Sequence, residues 1–178
     1  GSCMVSRRGH DGSVSSVVLP DELCETSPHI EINEIDDIVY FANGDLYAVT
    51  DTDYRMLAFG VGNLVAYDTA HSALLVAWEA EPGLAALDHS GALRWRAEAD
   101  GGIYDLAPVG DQGAVFALVY DDISLPGSFV AYDADRGEIW GEGVAWDGLV
   151  DFSVDASGSK MLVQAGGSVY TYEITVEE

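Results

Sequence analysis

Short stretches of alternating apolar and polar residues run along this chain, and none shows a helical period. Four of them are versions of one strand: Leu46-Tyr47-Ala48-Val49-Thr50, Leu84-Ala85-Ala86-Leu87-Asp88, Phe129-Val130-Ala131-Tyr132-Asp133 and Val169-Tyr170-Thr171-Tyr172-Glu173. Each opens on an apolar residue and closes on a polar one, with Gly44, Gly83, Gly127 or Gly167 just upstream. Around each marker the alternation predicts companion strands separated by turn residues. The predicted groups are 30–35, 38–42, 45–50 and 54–59; 62–68, 73–80, 84–88 and 92–98; 102–108, 114–120, 128–133 and 138–145; and 148–154, 160–165 and 168–174. The last group lacks a fourth strand. One spare strand, Val14–Leu19, lies upstream of the first.

A repeat of about forty residues built from four short strands is the signature of a β-propeller. Open sheet edges invite aggregation, and ring closure removes them. The sequence therefore predicts an all-β, four-bladed β-propeller whose N-terminal strand completes the last blade. A half-ring pairing with a second copy into eight blades is the alternative, and a monomer is preferred over that dimer. Residues 14–178 read as one domain. Residues 1–13 read as a flexible N-terminus, in which Gly1 to Cys3 resemble a cloning remnant before a native Met4.

Two repeats share a sharper motif. Ala86-Leu87-Asp88-His89-Ser90-Gly91-Ala92-Leu93-Arg94-Trp95 aligns with Ala131-Tyr132-Asp133-Ala134-Asp135-Arg136-Gly137-Glu138-Ile139-Trp140. This resembles the repeat of PQQ-like propellers, A-x-D-x-x-T-G-x-x-x-W, and more broadly that of WD-repeat-like propellers. Ser90 and Arg136 stand where the threonine is usual, and each copy is one residue shorter than the pattern. The resemblance implies a structural, blade-docking role for Asp88, Gly91, Trp95, Asp133, Gly137 and Trp140. The aspartates would accept turn amides, the glycines would take positive φ, and the indoles would be buried between blades. The quinone-dependent dehydrogenases of that family use eight blades, a bound calcium and an adjacent cysteine pair. This chain has no adjacent cysteines, so only the scaffold resemblance carries over and no cofactor is expected.

Charge changes the picture of the surface. The chain has 31 acidic residues against 7 basic ones, a net charge of −24, and Lys160 is its only lysine. The carboxylates are dispersed through the turns and form no tail. The composition resembles that of haloarchaeal proteins, in which dispersed carboxylates hold water where salt screens charge beyond about 3 Å at 1 M. The alternative is an acidic mimic of another partner. A nucleic-acid partner is not expected, because phosphates are bound by Lys and Arg. No apolar run approaches the roughly 20 residues of a membrane helix, and a signal peptide is not legible, so a cytoplasmic, non-membrane protein is expected. Cys3 and Cys24 make no disulfide framework.

Candidate chemistry is sparse. His10, His29, His71 and His89 are dispersed and read as polar loop residues, short of the three or four convergent ligands of a zinc site. Asp105 and Asp151 each follow a glycine by three residues in predicted innermost strands. As a metal site they would hold a hard cation such as calcium, sodium or potassium in the central channel, with Glu31 nearby. Backbone hydrogen bonding is the structural reading and the one expected. The leading function is then a non-enzymatic protein-interaction scaffold with an unidentified protein partner. Asp121, Asp122, Ile123 and Leu125 in the longest loop, with Trp146, form the expected partner contact. The alternative is a small-molecule- or cation-binding propeller, lyase- or hydrolase-like, with its site at the channel mouth.

Overall fold

The computed structural model describes residues 3–8, 12–20, 29–33, 36–78, 82–109, 113–120, 128–142, 149–155, 157, 159–165 and 167–174. Every regular element among them is a strand. The N-terminal hairpin is β1 (Cys3–Arg8) and β2 (Val14–Leu19). The first sheet is β3 (His29–Asn33), β4 (Ile38–Asn43), β5 (Asp45–Val49) and β6 (Tyr54–Ala58). The second is β7 (Val61–Asp68), β8 (Ala73–Trp78), β9 (Gly83–Leu87) and β10 (Leu93–Glu98). The third is β11 (Gly102–Val109), β12 (Ala114–Tyr120), β13 (Ser128–Asp133) and β14 (Ile139–Glu142). The fourth is β15 (Leu149–Val154), β16 (Lys160–Ala165) and β17 (Ser168–Glu173).

Each sheet is an antiparallel meander in chain order, and the sheets stack face to face. Period-two alternation sends successive side chains of a middle strand to opposite neighbours. On β8, Leu74 and Val76 face the first sheet while Ala73 and Leu75 face the third. Both faces of β8 and β9 are thereby buried, and those strands read as continuous apolar runs. Each seam has its own core. Tyr40, Leu46 and Val65 lie in the first, Trp95, Val115 and Tyr132 in the second, and Phe129, Phe152 and Val163 in the third.

The N-terminus differs from expectation in two ways. β1 lies within the stretch of residues 1–13 whose polar pattern predicts no element, yet it pairs with β2 from Cys3↔Leu19 to Arg8↔Val14. β2 is hydrogen-bonded to β1, and β17 to β16 alone among the described strands, so the expected seam between β2 and β17 is not formed. The hairpin instead lays Val17 and Leu19 on Phe41 and Val49 of the first sheet. Burial of that apolar pair explains its position: each contact removes side-chain surface from water at about 25 cal/mol per Å².

Candidate functional site

Three kinds of residue meet where sheets join: turn carboxylates, indole and histidine contacts between sheets, and carboxylates on innermost strands. The turns come first because they shape the rest. In the β9–β10 turn, Asp88 Oδ1 accepts the Ser90 amide at 2.8 Å, the Ser90 hydroxyl at 2.6 Å and the Ala92 amide at 3.0 Å. The Ser90 hydroxyl, and then the Ala92 amide, hold this carboxyl below its ordinary value of 3.8. The β13–β14 turn repeats the device: Asp133 Oδ1 accepts the amides of Asp135 and Arg136 at 3.0 and 2.8 Å. Asp155, between β15 and β16, does the same with the Lys160 amide at 2.7 Å and the Ser157 hydroxyl at 2.6 Å. Its carboxyl is lowered too, chiefly by Ser157.

These turns receive the neighbouring sheet. Trp95 on β10 is buried and its Nε1 donates to the Ala134 carbonyl at 2.8 Å, across the second seam. Gly137 has φ +69°, and a Cβ there would collide with the Trp95 ring. Gly91 has φ +88°, and its Cβ would overlap the Leu57 carbonyl oxygen. The backbone of Leu57 in the first sheet thus fits against the Gly91 turn as the Trp95 ring fits against the Gly137 turn. Trp140 lies on β14, and its side chain is outside the described residues.

The histidines are tied to the same joints. Tyr40 and His89 join across the first seam, with Oη and Nδ1 3.0 Å apart, while Tyr67 stacks on Tyr40 at 5.9 Å. Arg55 donates to the His89 carbonyl at 2.9 Å. His71 Nδ1 meets Asp68 Oδ2 at 2.7 Å, and Asp68, only 1% exposed, also accepts the amides of Ala70 and His71. Sequence reasoning missed this half-buried pair. The signal was present as Asp68 followed three residues later by His71 in a strand-ending turn, a spacing that lets one carboxylate serve both a turn amide and the ring.

On the innermost strands the structure brings Asp105 and Asp151 together. Both sit at β-bulges, where pairing shifts between Ile103 and Asp105 and between Leu149 and Asp151. A bulge re-aims its side chain, which is how two neighbouring strands present carboxylates to one another. Burial raises the Asp105 carboxyl above 3.8, against a 2.9 Å hydrogen bond from the Leu106 amide, and the nearby Asp151 raises it further. Glu31 on β3 is raised by burial, against a hydrogen bond from the Tyr67 backbone and the charge of His29. Among the described residues no group of three or more His, Cys, Asp or Glu converges as a metal cage would.

The other end of the sheets is braced by backbone amides of the connections. Gly44 donates to Asn63 Oδ1 at 2.8 Å, Gly60 to Asp45 Oδ1 at 2.8 Å, and Ala99 to the Pro82 carbonyl at 3.2 Å. The β4–β5 turn is thus joined to β7 of the second sheet, and the β6–β7 and β10–β11 connections are tied back to the first and second sheets that precede them. Asp121, Asp122, Ile123, Leu125 and Trp146 fall in the corresponding connections β12–β13 and β14–β15, and lie outside the described residues.

Solved structures with this architecture are β-propellers. The chain is similar to the Dos1 propeller (TM-score 0.70, 12% identity, 96% of this chain and 50% of that one). It is similar to BamB from Moraxella catarrhalis (TM-score 0.67, 17% identity, 96% and 52%). It is also similar to the C-terminal WD40 domain of Sif2 (TM-score 0.66, 12% identity, 97% and 55%). At these identities the likeness shows the fold: the chain is a β-propeller repeat protein. It spans about half the length of the structures it matches. No protein-family model matches the chain, and no curated protein is similar to it in sequence. Among the described residues no helix is long and apolar enough to cross a membrane.

Proposed function

We propose that this chain is a non-enzymatic docking module, a rigid propeller surface that binds a protein partner. The observation that carries this reading is the bracing of one end of the sheets: Gly44–Asn63 joins the first sheet to the second, and Gly60–Asp45 and Ala99–Pro82 tie the connections leaving the first and second sheets back onto those sheets. They stiffen that end of the first two sheets, and a stiff surface loses little entropy on binding. The longest connection at that end by strand order carries Ile123 and Leu125 between Asp122 and Gly127. Apolar side chains amid acidic ones suit the centre of an interface with a polar rim. The test is binding of a partner captured at molar KCl and then purified. Replacing Ile123 and Leu125 by Ser weakens its affinity about 100-fold, the scale of a lost pair of anchors, with the melting temperature unchanged. Unaltered affinity removes the reading.

The surface charge belongs to the same proposal. Net charge −24 spread over every turn suits a high-salt cytoplasm of haloarchaeal type, where partner and protein meet through apolar contacts while charge is screened. A second reading, a cation held at the channel mouth, is favoured by the meeting of Asp105 and Asp151 on bulges of adjacent innermost strands. Hard cations take charged oxygen ligands. Elemental analysis of desalted protein decides it: one ion per chain, lost in the Asp105→Asn, Asp151→Asn double variant, would favour the cation over the structural role.

A further inference from the structure

Among the described residues, the two outer sheets of the stack each leave apolar side chains uncovered on their outward faces. On the first sheet, Ile30 and Ile32 are 50% and 61% exposed. Their cross-strand partners are Phe41 and Val39, so they lie on the face that carries the hairpin, on the inner part that the hairpin leaves open. On the fourth sheet, Met161 and Val163 are buried against Leu118 and Phe129 of the third. The intervening Leu162 (46% exposed) points the other way, as does Val169 (69% exposed), which pairs with Gln164. A shallow concavity between them is lined by Asp151, Ser153, Leu162, Gln164 and Val169.

The strand order says what covers these faces. In the first three sheets the fourth strand directly precedes the innermost strand of the next: β6 before β7, β10 before β11, β14 before β15. β2 stands in that relation to β3. It also behaves as such a strand: Val17 and Leu19 alternate onto the first sheet as Trp95 and Ala97 of β10 alternate onto the third. The fourth sheet, meanwhile, has its first three strands and a bare edge at β17 among the described residues. One blade is therefore divided between the two ends of the stack, three strands at one and the fourth at the other. The chain also spans 50–55% of the structures it resembles.

We propose that the occupant is a second copy of this chain, joined head to tail so that two half-rings close one propeller. At each of two identical junctions, Leu162 and Val169 of one copy cover Ile30 and Ile32 of the other, and β17 adds to the edge of β2. β1 is hydrogen-bonded along β2 on this face, where Val5 and Val17 line one hollow with Val39 and Val49, and it occupies the β2 edge that β17 would take. β1 is displaced on assembly. Addition of β17 also continues the buried Met161–Tyr172 face over Val14 and Val18, which are 66% and 60% exposed on the hairpin's outer side. This inference stands apart from the docking reading, because it concerns how the ring is completed and uses neither Ile123 nor Leu125.

Light scattering of the purified 178-residue chain in molar KCl tests it, salt being needed because two copies of charge −24 repel one another in dilute buffer. The expected mass is twice that of the chain. Ile32→Asp and Leu162→Asp each bury a carboxylate at both junctions and raise the dissociation constant about 100-fold or more. Both sites are exposed within one copy, so circular dichroism and melting of the separated copies stay as in the parent. Mixing the two variants restores a dimer, because one junction then pairs an unaltered Ile32 with an unaltered Leu162. Removing residues 1–8 tightens the dimer. A monomeric parent overturns the proposal and assigns the missing half to another polypeptide or a further stretch of this one. A dimer indifferent to both substitutions, a mixture that stays monomeric, or an open polymer in place of a closed pair overturns it equally.

Discussion

Trp95 shows how one side chain couples two repeats. Its indole is buried, its Nε1 donates to the Ala134 carbonyl, and its ring fills the space a Cβ on residue 137 would need. Trp95→Ala is expected to cost about 3–5 kcal/mol, as other large-to-small core changes do. Gly137→Ala is also expected to destabilise, through positive φ and through the collision with the ring. The two costs will not add: in the double variant the collision is gone and only the backbone strain of residue 137 remains. Urea denaturation of the four proteins in the cycle measures this coupling, and strict additivity would mean the ring and the glycine do not share the site. Asp105 offers a second residue-scale test, with the sign set by its environment. A carboxyl raised in the folded state adds stability below its ordinary value of 3.8 that is lost as pH climbs through the raised one. Asp105→Asn is therefore expected to raise the melting temperature at neutral pH and leave it nearly unchanged in acid.

At the scale of the element, the tight turns are where stability depends on acid. Asp88 and Asp155 have lowered carboxyls, so their contribution is present above the ordinary 3.8 and is lost as pH falls through the folded values. This runs opposite to Glu31 and Asp105, whose ionisation weakens the fold as pH rises. Stability is expected to pass through a maximum on the acid side of neutrality. Asp88→Ala and Asp155→Ala should each flatten the acid limb in a series of melts against pH. An unchanged acid limb in both variants would show that the turn hydrogen bonds do not lower these carboxyls in the folded state. These turns were readable in advance at Asp88 and Asp133, where glycine and tryptophan follow at set intervals. Asp155 was not, because its turn holds Ser157 and Ser159 and no tryptophan marks it.

For the whole molecule, charge and stacking act against one another. The seams hold apolar side chains from both sheets, while the surface carries a net charge of −24. Repulsion among the carboxylates should loosen the stack in dilute buffer and be screened in concentrated salt. The melting temperature is expected to climb as KCl rises from millimolar to molar. A flat or falling curve would remove the high-salt reading and favour the acidic-mimic alternative.

The alternation of apolar and polar residues determined the strands, their order within each sheet and the repeated turns. These depend on neighbours a few residues away and on a period of two that any strand imposes. Predicted and observed strands agree to within a few residues through the first three sheets, and Val14–Leu19 agrees at both ends. The meeting of Asp105 with Asp151 was half legible, since equivalent spacing after a glycine placed them on corresponding strands. Only the bulges turned them together. What β2 does lay beyond the sequence pattern. Its alternation suits the fourth-strand place of any blade, so the pattern alone does not say which strand of the same chain hydrogen-bonds to it. The tertiary structure decided it, because Val17 and Leu19 gain burial against Phe41 and Val49 while β1 supplies hydrogen bonds along the strand. Edge strands choose partners by what is close enough to pair with them, and closeness is a property of the folded stack.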